Sequence, residues 1–162
     1  MPRIRLETKI NAPIQRVFDL SRSIDLHLIT TREMREKVIE GRRKGLINKH
    51  EFVTWKWKIW GLPQRMTSAI TTMARPYFFE DRMIKGPFNR LEHKHYFECS
   101  EKDKKTIMKD IFYYRPPFGI LGTLVDQLFL RKYVERILKK RNQMIKDYAE
   151  NDNKWMEILN IY

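Results

Sequence analysis

Two histidines and two aspartates are the residues of this 162-residue chain whose type and spacing could do chemistry. His93 and His95 lie two apart in the alternating stretch from Asn89 to Ser100. Residues two apart on a strand share a face, so both point the way of Leu91, Phe97 and Cys99. Asp81 sits in an earlier alternating stretch with Phe79 and Met83, and Asp110 in a later one with Met108, Phe112 and Tyr114. Counting back through the Gly86-Pro87 turn sets Asp81 opposite His93. Counting through the polar loop Glu101–Lys105 sets Asp110 opposite His95. Charged groups on a core face are costly unless paired, so the four are expected to form one hydrogen-bonded cluster.

Such a cluster has four uses. It can be a structural network that fixes strand register, the default for buried polar groups. It can be a polar floor that orients a ligand, or a general acid–base pair. It can also hold a metal, which two imidazoles with carboxylates suit. Nothing else in the chain demands a metal, and neither metal nor cofactor is expected. Gly-x-Ser-x-Gly, a glycine-rich phosphate loop and His-Glu-x-x-His are all missing from the sequence. Cys99, at a strand end, reads as an inward packing thiol and not as a nucleophile. No catalytic residue is assigned.

The elements that must position the cluster follow from periodicity. Arg3 to Ile10 alternates strictly and reads as a half-buried strand. Asn11 is expected to cap a short helix burying Ile14, Val17, Phe18 and Leu20. A second short helix starts at Ser23 and runs through Ile24, Leu26, His27 and Leu28. After a weaker strand at Glu36–Glu40 come Glu51–Trp60, Gln64–Met73, Phe78–Lys85, Asn89–Ser100 and Thr106–Tyr114. Short turns join them, which implies an antiparallel meander. Trp55, Trp57, Met66, Phe79, Phe97, Phe112 and Tyr114 share the inward face with the two His and two Asp.

One antiparallel sheet needs cover on its apolar face. The stretch from Gly122 to about Tyr148 supplies it as one long helix of about 40 Å. Leu124, Val125, Leu128, Val134, Ile137, Leu138, Met144 and Ile145 form its apolar stripe, opposite Lys132, Arg136, Lys139 and Lys140. The fold class is therefore α+β: a curved antiparallel sheet of about seven strands wrapped on a long C-terminal helix, with two short helices after the first strand. Residues 1–150 are expected to form a single domain. Residues 151–162 form a C-terminal extension, whose Trp155, Ile158, Leu159 and Tyr162 could dock on the body. Asp19, Arg22 and His27 are placed near a cavity mouth as solvated helix residues.

The chain carries 33 Lys plus Arg against 20 Asp plus Glu, a net charge of +13. The basic residues are scattered through nearly every segment, so no specific nucleic-acid binding is expected, only weak contact with anionic membranes. The single Cys99 excludes an internal disulfide and is compatible with a reducing cytoplasm, the expected location. No signal peptide or transmembrane segment is read. Oligomeric state stays open.

The order of elements resembles the helix-grip fold of the SRPBCC superfamily, which includes START lipid-binding domains, the major birch pollen allergen and polyketide cyclase/dehydrase-like proteins. The stretches NAPIQRVFDLSRSIDLH (Asn11–His27), FEDRMIKGPFNRLEHKHYFE (Phe79–Glu98) and MKDIFYYRPPFGILGTLVDQLFLRKYVERILKKRN (Met108–Asn142) look like uncharacterised bacterial members. Trp57 and Ile59-Trp60 depart from that pattern, where a smaller residue and a His-Phe pair are usual, and would narrow a cavity. The resemblance implies a cavity between sheet and helix and no particular reaction. The function expected is non-enzymatic binding of a small hydrophobic or amphipathic ligand, lipid-like or polycyclic aromatic. The cavity would be lined by Trp55, Trp57, Met66, Phe79, Asp81, His93, His95, Phe97, Asp110, Phe112, Tyr114, Leu124 and Leu128. The alternative is a polyketide cyclase/dehydrase-like enzyme using the Asp/His cluster.

Overall fold

Strict alternation builds the sheet. In the computed structural model, which describes residues 2–59, 61–100, 105–117 and 119–159, the strands are β1 (Arg3–Ile10), β2 (Lys37–Gly41), β3 (Phe52–Ile59), β4 (Leu62–Ala74), β5 (Phe78–Lys85), β6 (Arg90–Ser100) and β7 (Lys105–Arg115). They form one antiparallel sheet in the order β1-β7-β6-β5-β4-β3-β2. β7 shows the rule plainly: Thr106, Met108, Asp110, Phe112 and Tyr114 are buried, and the residues between them are not. Trp60, with its suggested effect on a cavity, lies outside the described residues, as do most of the Glu101–Lys105 loop and Tyr162. Cys99 is exposed. It stands one residue from the end of β6, and the inward packing thiol expected from alternation is not found.

Two short helices follow β1. The first, α1 (Ile14–Ser21), buries Ile14, Val17, Phe18 and Leu20 as expected. Pro13 and not Asn11 occupies its N-cap. Asn11 instead donates its backbone N–H to Glu150 Oε1 at 2.7 Å, tying the end of β1 to the far end of the chain. The second helix, α2 (Ile24–Thr30), is capped by Ser23, whose Oγ accepts the Leu26 N–H at 3.2 Å.

The covering helix is continuous but not uniform. It comprises α3 (Gly119–Val125), a π turn (Asp126–Leu130) and α4 (Arg131–Ala149). Gly122 lies inside α3 and does not bound it; a Cβ there would overlap the Pro117 carbonyl. The π turn inserts one extra residue and turns the first half of the apolar stripe away from the sheet. Leu138, Asn142, Ile145 and Ala149 are buried along α4. Leu124, Val125, Leu128 and Phe129 are each more than half exposed. The residue that points inward from the π turn is Asp126, buried, which accepts the Tyr114 hydroxyl.

The interior is two apolar clusters. The larger joins α1, α2 and the sheet through Ile10, Phe18, Trp55, Trp57, Phe79 and Phe97. The smaller holds Ile4, Leu91, Phe112, Tyr114 and Leu138. Met66 packs against both. Among the described residues no helix is long and apolar enough to cross a membrane.

The C-terminal helix α5 (Asp152–Leu159) joins the larger cluster through Ile158, which is 4 % exposed. Arg16 stacks over Trp155 at 4.2 Å. Ile158→Ala should therefore cost about 2 kcal/mol, the low end for a buried Ile, because a terminal helix can shift to fill the space. Urea melts check this. An unchanged midpoint would show that α5 adds nothing to the core.

Candidate functional site

Neighbouring strands bring the four polar residues together. Asp81 is on β5, His93 and His95 are on β6, and Asp110 is on β7. Asp81 pairs with His93 and His95 with Asp110 in the register. His95 is 0 % exposed, Asp110 1 % and His93 6 %. Asp81 differs, keeping 25 % of its side chain accessible.

The contacts cross the register. His93 Nε2 lies 3.0 Å from Asp110 Oδ1. His95 Nε2 lies 3.2 Å from Asp81 Oδ2. His95 Nδ1 approaches the same Asp110 oxygen to 2.6 Å, although off the line of a hydrogen bond. The two imidazole rings are 3.8 Å apart, and His95 also stacks on Phe79 at 4.1 Å. Diagonal neighbours on a twisted sheet are within reach of long side chains, so each Asp meets the His one step along.

The covering helix completes the cluster. Asn142 Nδ2 donates to Asp110 Oδ2 at 2.7 Å and lies 3.3 Å from Thr8 Oγ1 on β1. Arg141 donates through Nη2 to the Ser21 carbonyl at 2.7 Å, and its Nη1 stands 4.0 Å from Asp110 Oδ1. Neither residue was singled out from the sequence. A signal existed for one of them: Leu138, Asn142, Ile145 and Ala149 step by four, three and four, so Asn142 is a polar residue on a buried stripe.

Burial alone would raise the Asp110 carboxyl. The contacts from His93 and His95 outweigh it and hold the group well below the usual carboxylate range. Burial also opposes ionisation of Asp81, and the hydrogen bond from His95 together with the nearby charges of His93, His95 and Arg141 outweighs it, so Asp81 is lowered too. His93 is pushed down to about 4, first by burial and then by His95 beside it, against the pull of Asp110. Tyr114 is raised by burial and by its bond to Asp126.

The remaining residues expected at the site divide. Trp55, Trp57, Phe79, Phe97, Phe112 and Tyr114 are buried on the inner face. Phe79 and Phe97 pack edge-on against Phe18 at 5.5 and 5.3 Å, which closes that end. The Trp57 indole N–H is buried with no acceptor among the described residues. Met66 is half-buried, while Leu124 and Leu128 stand on the exposed side of the covering helix. Exposure rises along the inner face of β5, from buried Phe79 to half-buried Asp81 and Met83. Exposure of the inner face therefore increases toward the smaller cluster, against which Met83 packs.

Two surface hollows stand out elsewhere. One, of about 370 Å³, lies on the outer face of the sheet at Arg3, Arg90, Glu92, Lys94 and Tyr113. The other, of about 290 Å³, lies between α2 and α4, against Thr30, Met34, Tyr133 and Ile137. Asp19, Arg22 and His27 are not solvated as expected. Arg22 is 4 % exposed, bonded to Asp19 at 2.8 Å and to the Ile47 carbonyl at 3.0 Å. His27 pairs with Glu36 at 2.8 Å and stacks on Trp55 at 4.2 Å. These contacts lock α2 to the sheet.

No protein-family model matches the chain, and no curated protein does. Solved structures do. TTHA0849 from Thermus thermophilus is similar at 20 % identity and a TM-score of 0.68, over 89 % of this chain and 97 % of that one. A START superfamily protein from Mycobacterium smegmatis is similar at 9 % identity and 0.63, over 90 % and 97 %. Major latex-like protein 151 of Panax ginseng follows at 11 % and 0.62, over 91 % and 97 %. With a seven-stranded antiparallel sheet gripping a long C-terminal helix, and two short helices after the first strand, this chain has the helix-grip fold of SRPBCC proteins.

Proposed function

We propose that the protein binds a small hydrophobic or amphipathic ligand, lipid-like or polycyclic aromatic, between the sheet and the C-terminal helix. In this reading it is a non-enzymatic carrier or sensor. The observation that carries the reading is the contrast between the two apolar clusters. The larger is sealed by α1, α2 and its own aromatic rings. The smaller is lined by residues that are only half-buried, Leu6, Met66, Met83, Phe88, Leu130 and Val134. Apolar walls with a few placed polar groups are what such pockets are made of. Asp81, with a quarter of its side chain accessible, supplies a polar group for an oxygen- or nitrogen-bearing end. Cytoplasmic work suits the free, exposed Cys99. The START and latex-like neighbours lend the fold-level analogy. The cyclase-like alternative has less support, since both imidazoles are more than nine-tenths buried and Asp81 alone would meet a substrate.

Titration with a naphthalene-sulfonate fluorophore and a panel of fatty acids should saturate at one equivalent and change the tryptophan emission. Met83→Ala with Leu130→Ala, at half-buried positions packed against the smaller cluster, should weaken binding about thirtyfold, since each removes apolar contact worth about 1 kcal/mol. Absence of saturable binding across the panel would overturn the proposal.

A further inference from the structure

The two imidazoles of the cluster are held by one carboxylate and turned toward another. Asp110 faces His93 Nε2 at 3.0 Å and His95 Nδ1 at 2.6 Å. That leaves His93 Nδ1 and His95 Nε2 on the opposite side, 3.9 and 3.2 Å from Asp81 Oδ2. One ligand atom from each of Asp81, His93 and His95 thus converges within 4.8 Å.

We propose that Asp81, His93 and His95 bind a divalent first-row transition cation such as Zn(II), Co(II) or Fe(II). Three observations meet here. The first is the direction of the lone pairs. A neutral imidazole carries one N–H, and a ring that gives it to Asp110 presents a bare nitrogen on its other side. His93 is such a ring, with Nδ1 bare toward Asp81; His95 Nε2 meets Asp81 Oδ2 through a hydrogen bond at 3.2 Å, whose proton a bound cation would replace. The second is spacing. Nitrogen and oxygen ligands about 2.0–2.2 Å from a metal stand roughly 3–3.5 Å apart, so the two separations need changes of only a few tenths of an ångström. The third is the outer layer. Histidines that ligate a metal give their other nitrogen to a carboxylate, which fixes the ring and raises its basicity. Asp110 does so for His93 at 3.0 Å, stands 2.6 Å from His95 Nδ1, and is itself held by Asn142 at 2.7 Å.

The ligand set selects the metal class. Two imidazoles and one carboxylate favour zinc, iron, cobalt or nickel over magnesium or calcium, which prefer all-oxygen sites. Three protein ligands leave at least one position open. Asp81, a quarter exposed, gives that position its route to solvent. The inference stands on the cluster alone and does not need the hydrophobic ligand.

The test uses the full chain, stripped with a chelator. Titration with Co(II) should saturate at one equivalent and raise the visible bands of a nitrogen- and oxygen-ligated ion. Zn(II) should displace it and lift the melting temperature by several degrees. Asp81→Asn should abolish the bands, and Asp110→Asn should weaken binding by about tenfold to a hundredfold, the usual effect of losing an outer carboxylate. His50→Gln, at an exposed histidine, should change nothing. Imidazole NMR reads the same site without a substitution: Zn(II) should shift the signals of His93 and His95 and leave those of His27 and His50. No saturable binding, binding unchanged by Asp81→Asn, or shifts confined to His27 and His50 would each overturn the assignment. Fluorophore binding by the metal-free protein tests the apolar pocket separately, so either proposal can fail without the other.

Discussion

Asp110→Ala should destabilise the fold by about 3–5 kcal/mol, the range for removing one partner from a buried charged pair. Asp110 is 1 % exposed. It accepts from His93 and from Asn142, and it stands beside His95 Nδ1 and Arg141 Nη1. Truncation would leave those donors buried between two apolar clusters with nothing to receive them. Asp110→Asn should cost less, about 1–3 kcal/mol, because its remaining oxygen can still accept one bond. Combining Asp110→Asn with His95→Ala should cost less than the sum of the two, by about 0.5–3 kcal/mol, because the residues are in contact. Urea melts of the four proteins of that cycle give the answer. Strict additivity would mean that the 2.6 Å approach of His95 to Asp110 carries no energy. A loss below about 1 kcal/mol in Asp110→Ala would mean that this carboxylate does not hold the polar layer together.

The polar layer also shows which parts of the fold could be read before any coordinates. Alternation in β5, β6 and β7 placed all four residues on one face. The hairpin turns set the register that is found, Asp81 opposite His93 and His95 opposite Asp110. That much is local geometry with a period of two. The crossed hydrogen bonds are not local, because they depend on sheet twist and on rotamers chosen in packing. Asn142 and Arg141 reach the cluster from another element, and only the docking of α4 decides that they do. The π turn left no trace in the sequence, since Phe129, Leu130 and Tyr133 keep the stripe apolar between Leu128 and Val134. A metal could not be read from His93 and His95 alone. What points to one is Asp110 behind both rings, and that appears once β7 is laid beside β6.

On acidification from about pH 7.5 to pH 4 the metal-free protein should lose about 3 kcal/mol through His93 alone. An unfolded imidazole takes up its proton near pH 6.5. In the fold, burial holds His93 down to about 4, and His95 adds to the effect against the pull of Asp110. Between those two values the unfolded chain binds a proton that the folded chain does not. Stability therefore rises with pH across the window; it is fully present above about 6.5 and falls away toward 4. At about 1.4 kcal/mol for each unit, the separation of the two values gives the figure above. Asp110 acts in the same direction lower down. Its folded value is depressed, so its contribution is present above the unfolded carboxylate value near 4 and is lost below it. The two losses follow one another, and acid has no range in which this cluster gains. Urea midpoints at about pH 7.5, 5.5 and 4, with a chelator present so that no cation competes with the proton, should decline throughout. His93→Gln, which cannot titrate, should flatten the upper part of that decline and leave the lower part. A wild-type profile that is level from about pH 7 to 5 would mean that His93 is already protonated in the fold, paired as a cation with Asp110.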